Sequence, residues 1–157
     1  MAAEAARQDL DVRGTPVQML AGGAGPELLF LHGAGGAGRW LEFQAQLAQR
    51  FHVRFPSHPG HGGSAAAEWI EHISDLAFHY LDLLDALRVE RVHLVGASFG
   101  GWIAAEIAVM AGHRLASLTL IDRCRATSRS SRPMRRATSS TAARRPCATS
   151  SACSPTS

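Results

Sequence analysis

The chain has 157 residues, a formal net charge of +3 and 46% hydrophobic residues, a balance that suits one soluble domain. No window approaches the ~18 consecutive apolar residues that a membrane span needs. The first 13 residues lack both the apolar core of a signal peptide and an Arg-rich transit pattern. These features exclude an integral membrane protein and predict a cytoplasmic chain with no membrane partner.

The charge is unevenly distributed along the chain. Residues 1–122 contain 8 arginines and all 13 acidic residues, a balance of −5, whereas residues 123–157 contain 8 arginines and no acid, a balance of +8. The second segment also has no Leu, Ile, Val, Phe, Trp or Tyr, so it cannot bury apolar surface and we expect it to be disordered. Its three cysteines show neither metal-site spacing nor a secreted disulfide pattern.

The composition changes abruptly after Asp122, at the end of a predicted strand. We interpret this as a shifted reading frame, because sixteen arginines without a lysine indicate a GC-rich coding sequence, whose other frames favour Arg, Ser, Ala, Pro and Thr. A genuine basic tail is the alternative, but it has no aromatic platform and no amphipathic pattern, so no nucleic-acid partner is expected. Three segments are therefore predicted: a flexible N-terminus (1–14), a partial domain (15–122) and a disordered tail (123–157).

Strands and helices alternate in the predicted domain. Strands are predicted at 15–21, 27–31, 52–55 and 117–121, with another from residue 92 up to the Gly-x-Ser-x-Gly turn; helices are predicted at 40–49, at 73–87 and after that turn to about 111. Because the links are short, the pattern favours an α/β fold built on a parallel sheet.

The most informative motif is Gly96-Ala97-Ser98-Phe99-Gly100, which ends an apolar strand and leads directly into a helix. Ser98 then lies at the tip of a tight turn that exposes its hydroxyl, and the glycines on either side allow strand and helix to cross closely. The N–H of Phe99 opens the helix, where the helix dipole favours a developing negative charge. The motif and its context predict a nucleophilic serine.

A serine nucleophile needs a base that accepts its proton and an acid that orients the base. After Ser98 the chain offers Glu106, His113 and Asp122 alone, and His113 follows the helix too closely to fold back onto Ser98. No triad acid or base is therefore found in this chain, and its status as an enzyme stays open.

Three motifs, in this order, resemble the first half of an α/β-hydrolase across residues 27–122. They are Leu31-His32-Gly33-Ala34-Gly35-Gly36, His58-Pro59-Gly60-His61-Gly62-Gly63-Ser64 and the serine turn. The resemblance implies strand order 1-2-4-3-5-6-7-8, here truncated after about the sixth strand, and no cofactor. It also implies a second oxyanion donor, the N–H of Ala34, with Gly33, Gly96 and Gly100 as supporting turn residues. The Gly-rich loop after Leu31 and the Gly-Gly-Trp run at 100–102 resemble the esterase, lactonase and carbon–carbon hydrolase branch. Ser98 disfavours the members that use an aspartate nucleophile.

Other interpretations of the same residues are weaker. The run 33–38 lacks the Gly-x-Gly-x-x-Gly register of a dinucleotide loop. Four histidines without paired helical spacing favour structural or solvent roles over a metal site; they are His32, His52, His58 and His61. His72 and His79 are expected on the wet edge of their helix.

Two functional hypotheses follow. In the first, Ser98 attacks a small-molecule ester, lactone or carbon–carbon bond next to a carbonyl and forms an acyl-enzyme. In the second, the chain is a catalytically inactive hydrolase fragment. Neither the substrate nor the oligomeric state follows from the sequence.

Overall fold

The computed structural model describes residues 5–36 and 38–121. In this part of the chain the strands are β1 (Ala6–Val12), β2 (Thr15–Gly22), β3 (Glu27–Leu31), β4 (His52–Pro56), β5 (Val92–Ala97) and β6 (Leu115–Ile121). The helices are α1 (Glu42–Leu47), α2 (Ile73–Ala86) and α3 (Phe99–Ala111), followed by a 3-10 turn (Gly112–Arg114). The predicted tail, with its disorder and its reading-frame interpretation, lies outside the described residues.

The six strands form one sheet in the order β1-β2-β4-β3-β5-β6. Strands β4, β3, β5 and β6 run parallel, whereas β1 and β2 add an antiparallel edge. The predicted α/β class is confirmed, and the described strands follow the family order that the resemblance implies.

Strand β1 corrects the prediction of a flexible N-terminus at residues 1–14. Its polar sequence does not predict a strand, since only Leu10 and Val12 face the protein core. Antiparallel pairing with β2 through a two-residue turn forms it, with Arg13 at φ 49° and Gly14 at φ 82°. Positive φ at both central residues matches the twist of a hairpin, so the contact that orders this segment is made with its neighbouring strand.

Helices cover both faces of the sheet. Helices α2 and α3 pack on one face, and the short helix α1 packs on the other. Strand β3 alternates between the two, because Leu29 and Leu31 join the α2–α3 core whereas Leu28 and Phe30 join the α1 core. Such double burial is typical of parallel sheets and explains the unbroken apolar run of β3. None of the described helices is long and apolar enough to cross a membrane.

The outer edge of β6 has no partner strand in the described part of the chain, and Leu118 is 39% exposed on it. We expect the protein to self-associate through this edge, since an open apolar edge is a template for strand pairing. Leu118→Lys should reduce the associated fraction in sedimentation velocity. Val109→Lys, on a helix position that is 85% exposed, is the matched control and should leave association unchanged. An equal effect of both variants would show that general charge, not the edge, governs association.

Candidate active site

The three sequence motifs meet because of the strand order. Strand β3 lies between β4 and β5 and runs parallel to both. His58 follows the end of β4, His32 and Gly33 follow β3, and Ser98 follows β5. The carboxyl ends of neighbouring parallel strands share one edge of the sheet, which is where open α/β sheets bind ligands.

Ser98 has a strained backbone at the tight turn that the sequence motif predicts. It lies between β5 and α3 with φ 49° and ψ −113°, a region that non-glycine residues rarely adopt. Such a conformation costs on the order of 1–3 kcal/mol and persists where the surroundings enforce it. One restraint is the hydrogen bond from Ser98 N–H to the carbonyl of Ile121, 2.8 Å long, at the end of β6.

The two glycines of the turn allow close backbone contacts. A Cβ on Gly96 would lie 2.4 Å from the carbonyl oxygen of Gly100, and a Cβ on Gly100 would lie 2.2 Å from the carbonyl oxygen of Leu31. Both distances are shorter than any real contact of a Cβ. Gly100 therefore lets helix α3 start directly against the end of β3, which places Ser98 beside the loop that follows β3.

That loop begins in contact with Ser98. A Cβ on Gly33 would lie 3.3 Å from Ser98 Cβ and 3.9 Å from its Oγ. The carbonyl of Gly33 accepts a 3.1 Å hydrogen bond from Gly36 N–H, which closes a turn around the exposed Ala34. Phe99 is the first residue of α3, so its N–H has no acceptor within the helix. Both predicted oxyanion donors thus belong to segments that border Ser98.

No imidazole is hydrogen-bonded to the serine hydroxyl in the described part of the chain. None of the hydrogen bonds found among residues 5–36 and 38–121 joins Ser98 Oγ to an imidazole. His113 lies after α3, and a helix of 13 residues is about 20 Å long, so His113 is at the opposite end of the sheet. Glu106 projects from the middle of α3.

A buried cluster of His32, His58 and Tyr80 lies under the loop. The His58 ring stacks on His32 with centroids 3.7 Å apart, and its Nε2–H donates to the carbonyl of His32 at 2.7 Å. The backbone N–H of His58 donates to His32 Nε2 at 3.0 Å, and His32 Nδ1–H donates to the carbonyl of Gly33 at 2.6 Å. The Tyr80 hydroxyl donates to His58 Nδ1. The predicted structural role of His32 and His58 agrees with this network.

The cluster stays uncharged at neutral pH. Burial, together with the neighbouring His32 ring, lowers the pKa of His58 to about 3. Burial also lowers the pKa of His32 and raises the pKa of the Tyr80 hydroxyl. Sequence reasoning missed Tyr80 as a partner of this loop, because it appeared only as an apolar position on its helix.

The prediction that His79 lies on a wet edge is wrong. His79 is 1% exposed, and neither ring nitrogen has a hydrogen-bond partner among the described residues. Trp69, in the segment before α2, contacts its ring at a centroid distance of 6.3 Å. Burial lowers the pKa of His79, against the opposing charge of Asp82. His72, by contrast, is exposed at the start of α2, as predicted.

The other two histidines for which structural or solvent roles were predicted, His52 and His61, form no hydrogen bond to Ser98 among those found in residues 5–36 and 38–121. His52 Nδ1 bonds Glu27 at 3.0 Å, between strands β4 and β3. His61 makes a 3.4 Å contact with the carbonyl of Pro59. Across residues 5–36 and 38–121, no group of three or more His, Cys, Asp or Glu side chains could hold a metal ion.

A cavity of about 480 Å³ opens between the loop and helix α1. Its walls include three aromatic rings, Phe30, Phe43 and Phe55, whose centroids lie 5.3–5.5 Å apart in adjacent pairs. Gly33 and Ala97 form the side nearest Ser98. The volume falls within the ~300–1,000 Å³ of small-molecule sites.

Comparison with known proteins assigns the family. A family profile described as alpha/beta hydrolase fold matches residues 26–145, and this chain belongs to that family. The match contains all three motifs around Ser98 and extends beyond the described residues.

Three individual similarities give the range of the family. The chain is 39% identical over 103 residues to a dihydrolipoyllysine-residue acetyltransferase component of an acetoin cleaving system from Pseudomonas putida, covering 65% of this chain and 28% of that protein. It is 36% identical over 101 residues to a pimeloyl-[acyl-carrier protein] methyl ester esterase from Aeromonas hydrophila, covering 63% and 38%. The crystal structure of a membrane phospholipase A, a bacterial virulence factor, superposes with a TM-score of 0.71 at 33% identity, covering 76% and 40%.

The chain therefore spans about a third of the length of these curated relatives and two fifths of that solved chain.

Proposed function

We propose that Ser98 is the nucleophile of a serine hydrolase site that acts on an ester, a lactone or a carbon–carbon bond next to a carbonyl. The observation that carries this proposal is the backbone of Ser98, at φ 49° on a strand-to-helix turn, with Gly33 of the neighbouring loop packed against it. Backbone strain at a serine on a strand-to-helix turn is typical of functional sites, and the neighbouring residues Gly33 and Ala97 line a cavity. Hydrolase membership supports the same proposal.

In the proposed reaction, a base removes the Ser98 Oγ proton while Oγ bonds to the substrate carbonyl carbon. The negative charge that develops on the carbonyl oxygen is stabilised by the N–H groups of Phe99 and Ala34, worth about 3 kcal/mol for each donor. The leaving group departs with a proton, and water then hydrolyses the acyl-enzyme. No cofactor takes part in these steps.

The substrate in this proposal is a small molecule with an apolar acyl or leaving group. The cavity beside Gly33 and Ala97 supports this choice, since three phenylalanine rings form an apolar part of its wall, to which Arg39 adds one charged side chain. A cytoplasmic location remains a prediction from the sequence.

A second candidate, an inactive fragment, is favoured by one observation. No imidazole among the described residues bonds Ser98 Oγ, and residues 123–157 contain no histidine. A serine hydroxyl without a base is a weak nucleophile at neutral pH. The two candidates differ only in whether a proton acceptor reaches Ser98.

The rate without imidazole tells the two candidates apart, and imidazole in solution tests whether Ser98 is a nucleophile once a proton acceptor is supplied. We expect the chain alone to hydrolyse p-nitrophenyl acetate close to background, with little change in Ser98→Ala. Added imidazole should raise the hydrolysis rate of the unsubstituted chain more than that of Ser98→Ala, because free imidazole can accept the Ser98 proton that no residue accepts. Subtracting the Ser98→Ala rate removes direct catalysis by imidazole. Equal rates of the two proteins at every imidazole concentration would contradict the nucleophilic role of Ser98.

Ala34→Pro tests the oxyanion donor in the same assay, because proline removes the N–H at an exposed second position of the Gly33–Gly36 turn, a position where turns favour proline. The imidazole-dependent rate should fall about 100-fold. Ala34→Gly keeps the N–H and should retain the rate. If both variants behave alike, the donor is not Ala34.

A further inference from the structure

His58 touches both segments that hold the proposed oxyanion donors. On one side its ring Nε2–H donates to the carbonyl of His32 at 2.7 Å, and its backbone N–H donates to the His32 ring at 3.0 Å. On the other side its ring meets the Phe99 ring edge-on, with centroids 5.5 Å apart and planes at 85°. His32 directly precedes Gly33 and Ala34, so one side chain lies between the two donor segments.

The hydrogen bonds require one particular proton arrangement. His58 donates from Nε2 to a carbonyl, so Nδ1 must be the acceptor for the Tyr80 hydroxyl. His32 donates from Nδ1 to the Gly33 carbonyl, so its Nε2 must accept from His58 N–H. Every polar atom of both rings is used once, and both rings are neutral.

Tyr80 connects this arrangement to the core. Its side chain is fully buried on α2, among residues of the α2–α3 core. Because its hydroxyl donates to His58 Nδ1, the ring of His58 cannot rotate without leaving a buried donor unpaired. The order of contacts runs from helix α2 through Tyr80 and His58 to the loop that contains Ala34.

We propose that His58, oriented by Tyr80, is a positioning residue that sets the spacing between the Ala34 and Phe99 N–H groups. The inference rests on the proposed function of these groups as oxyanion donors. His58 does not touch the reacting atoms; it acts through His32 and Phe99. A donor displaced by about 1 Å loses a large part of its effect on the transition state.

Nuclear magnetic resonance of the full chain tests the geometry without activity. The ring nitrogens should show a proton on Nε2 of His58 and on Nδ1 of His32. His58→Leu should shift the amide signals of Ala34 and Phe99 together. His61→Leu is the matched control, since His61 neighbours both rings but bonds neither, and it should leave both signals in place. The opposite tautomers, or unchanged amides in His58→Leu, would overturn the inference.

The imidazole-assisted reaction tests the consequence. His58→Leu should lower kcat about tenfold or more with little change in KM, because the donors act on the transition state. His58→Gln should recover most of the loss, since its amide can donate to the His32 carbonyl. Tyr80→Phe, which removes one hydroxyl, is the milder variant if His58→Leu does not fold. A rise in KM with unchanged kcat in His58→Leu would show that the role of His58 is merely structural. The same conclusion would follow if His58→Gln did not recover kcat.

The two proposals fail in different ways. If the normal chain shows no rate that depends on Ser98 and imidazole, the proposed function is wrong, while the amide signals still report whether His58 spaces the loops. If that rate exists but His58→Leu leaves both kcat and the two amides unchanged, the positioning role is wrong and the proposed function stands.

Discussion

Replacing Gly100 with alanine is expected to unfold the protein or to lower its melting temperature by roughly 15 °C or more. The added Cβ would lie 2.2 Å from the carbonyl oxygen of Leu31, 2.5 Å from its carbonyl carbon and 2.6 Å from the carbonyl oxygen of His32. All three atoms belong to the backbone at the end of a central strand, so no side chain can rotate away. Overpacking of this kind costs about 3 kcal/mol or more.

Gly112→Ala is the matched control for this change. Gly112 also adjoins helix α3, has φ −55°, and a Cβ there would meet no atom within 4 Å. Because alanine restricts the unfolded chain, this variant should be neutral or slightly stabilising. The difference between the two melting temperatures, measured by calorimetry, isolates the steric effect at the turn between β5 and α3. A normal melting temperature for Gly100→Ala would contradict the close crossing of α3 and β3.

The second large effect is a loss of stability in mild acid. Burial lowers the pKa of His32, His58 and His79 in the folded chain, and that of His58 to about 3. Below pH 6.5 the unfolded chain therefore binds more protons than the folded chain. The contribution of these histidines to the free energy of unfolding is complete above that pH and is lost as the pH falls towards the pKa of each histidine in the folded chain. Protonation of His58 in the unfolded chain alone lowers the free energy of unfolding by about 1.4 kcal/mol for each pH unit between pH 6.5 and the folded pKa.

Urea unfolding between pH 7.5 and 4.5 measures this slope, and His79→Leu assigns part of it. The leucine fills a buried position whose two ring nitrogens have no partner, so it should stabilise the protein at pH 7 and reduce the slope. The control is His72→Gln at an exposed position, which should leave the slope unchanged. An unchanged slope in His79→Leu would mean that His79 is already protonated in the folded chain.

The elements of the fold could be predicted because they depend on local sequence. The buried strand β3 and the helix α2 have the lengths and apolar patterns of their types, and Gly96 and Gly100 mark the one turn in which strand and helix cross. The tight turn at Ser98 followed from the motif for the same reason. Strand β1 could not be predicted, since its polar residues acquire a partner only when β2 is already in place.

The sequence by itself determined the fold class, the candidate serine and the lack of a later histidine other than His113, because these depend on residue types and their spacing along the chain. Only the tertiary structure decided which histidines are buried and what they contact. The wrong placement of His79 and the unnoticed bond from Tyr80 to His58 have one physical cause. Burial and hydrogen-bond partners are set by segments distant in sequence, which the periodicity of a single helix does not contain.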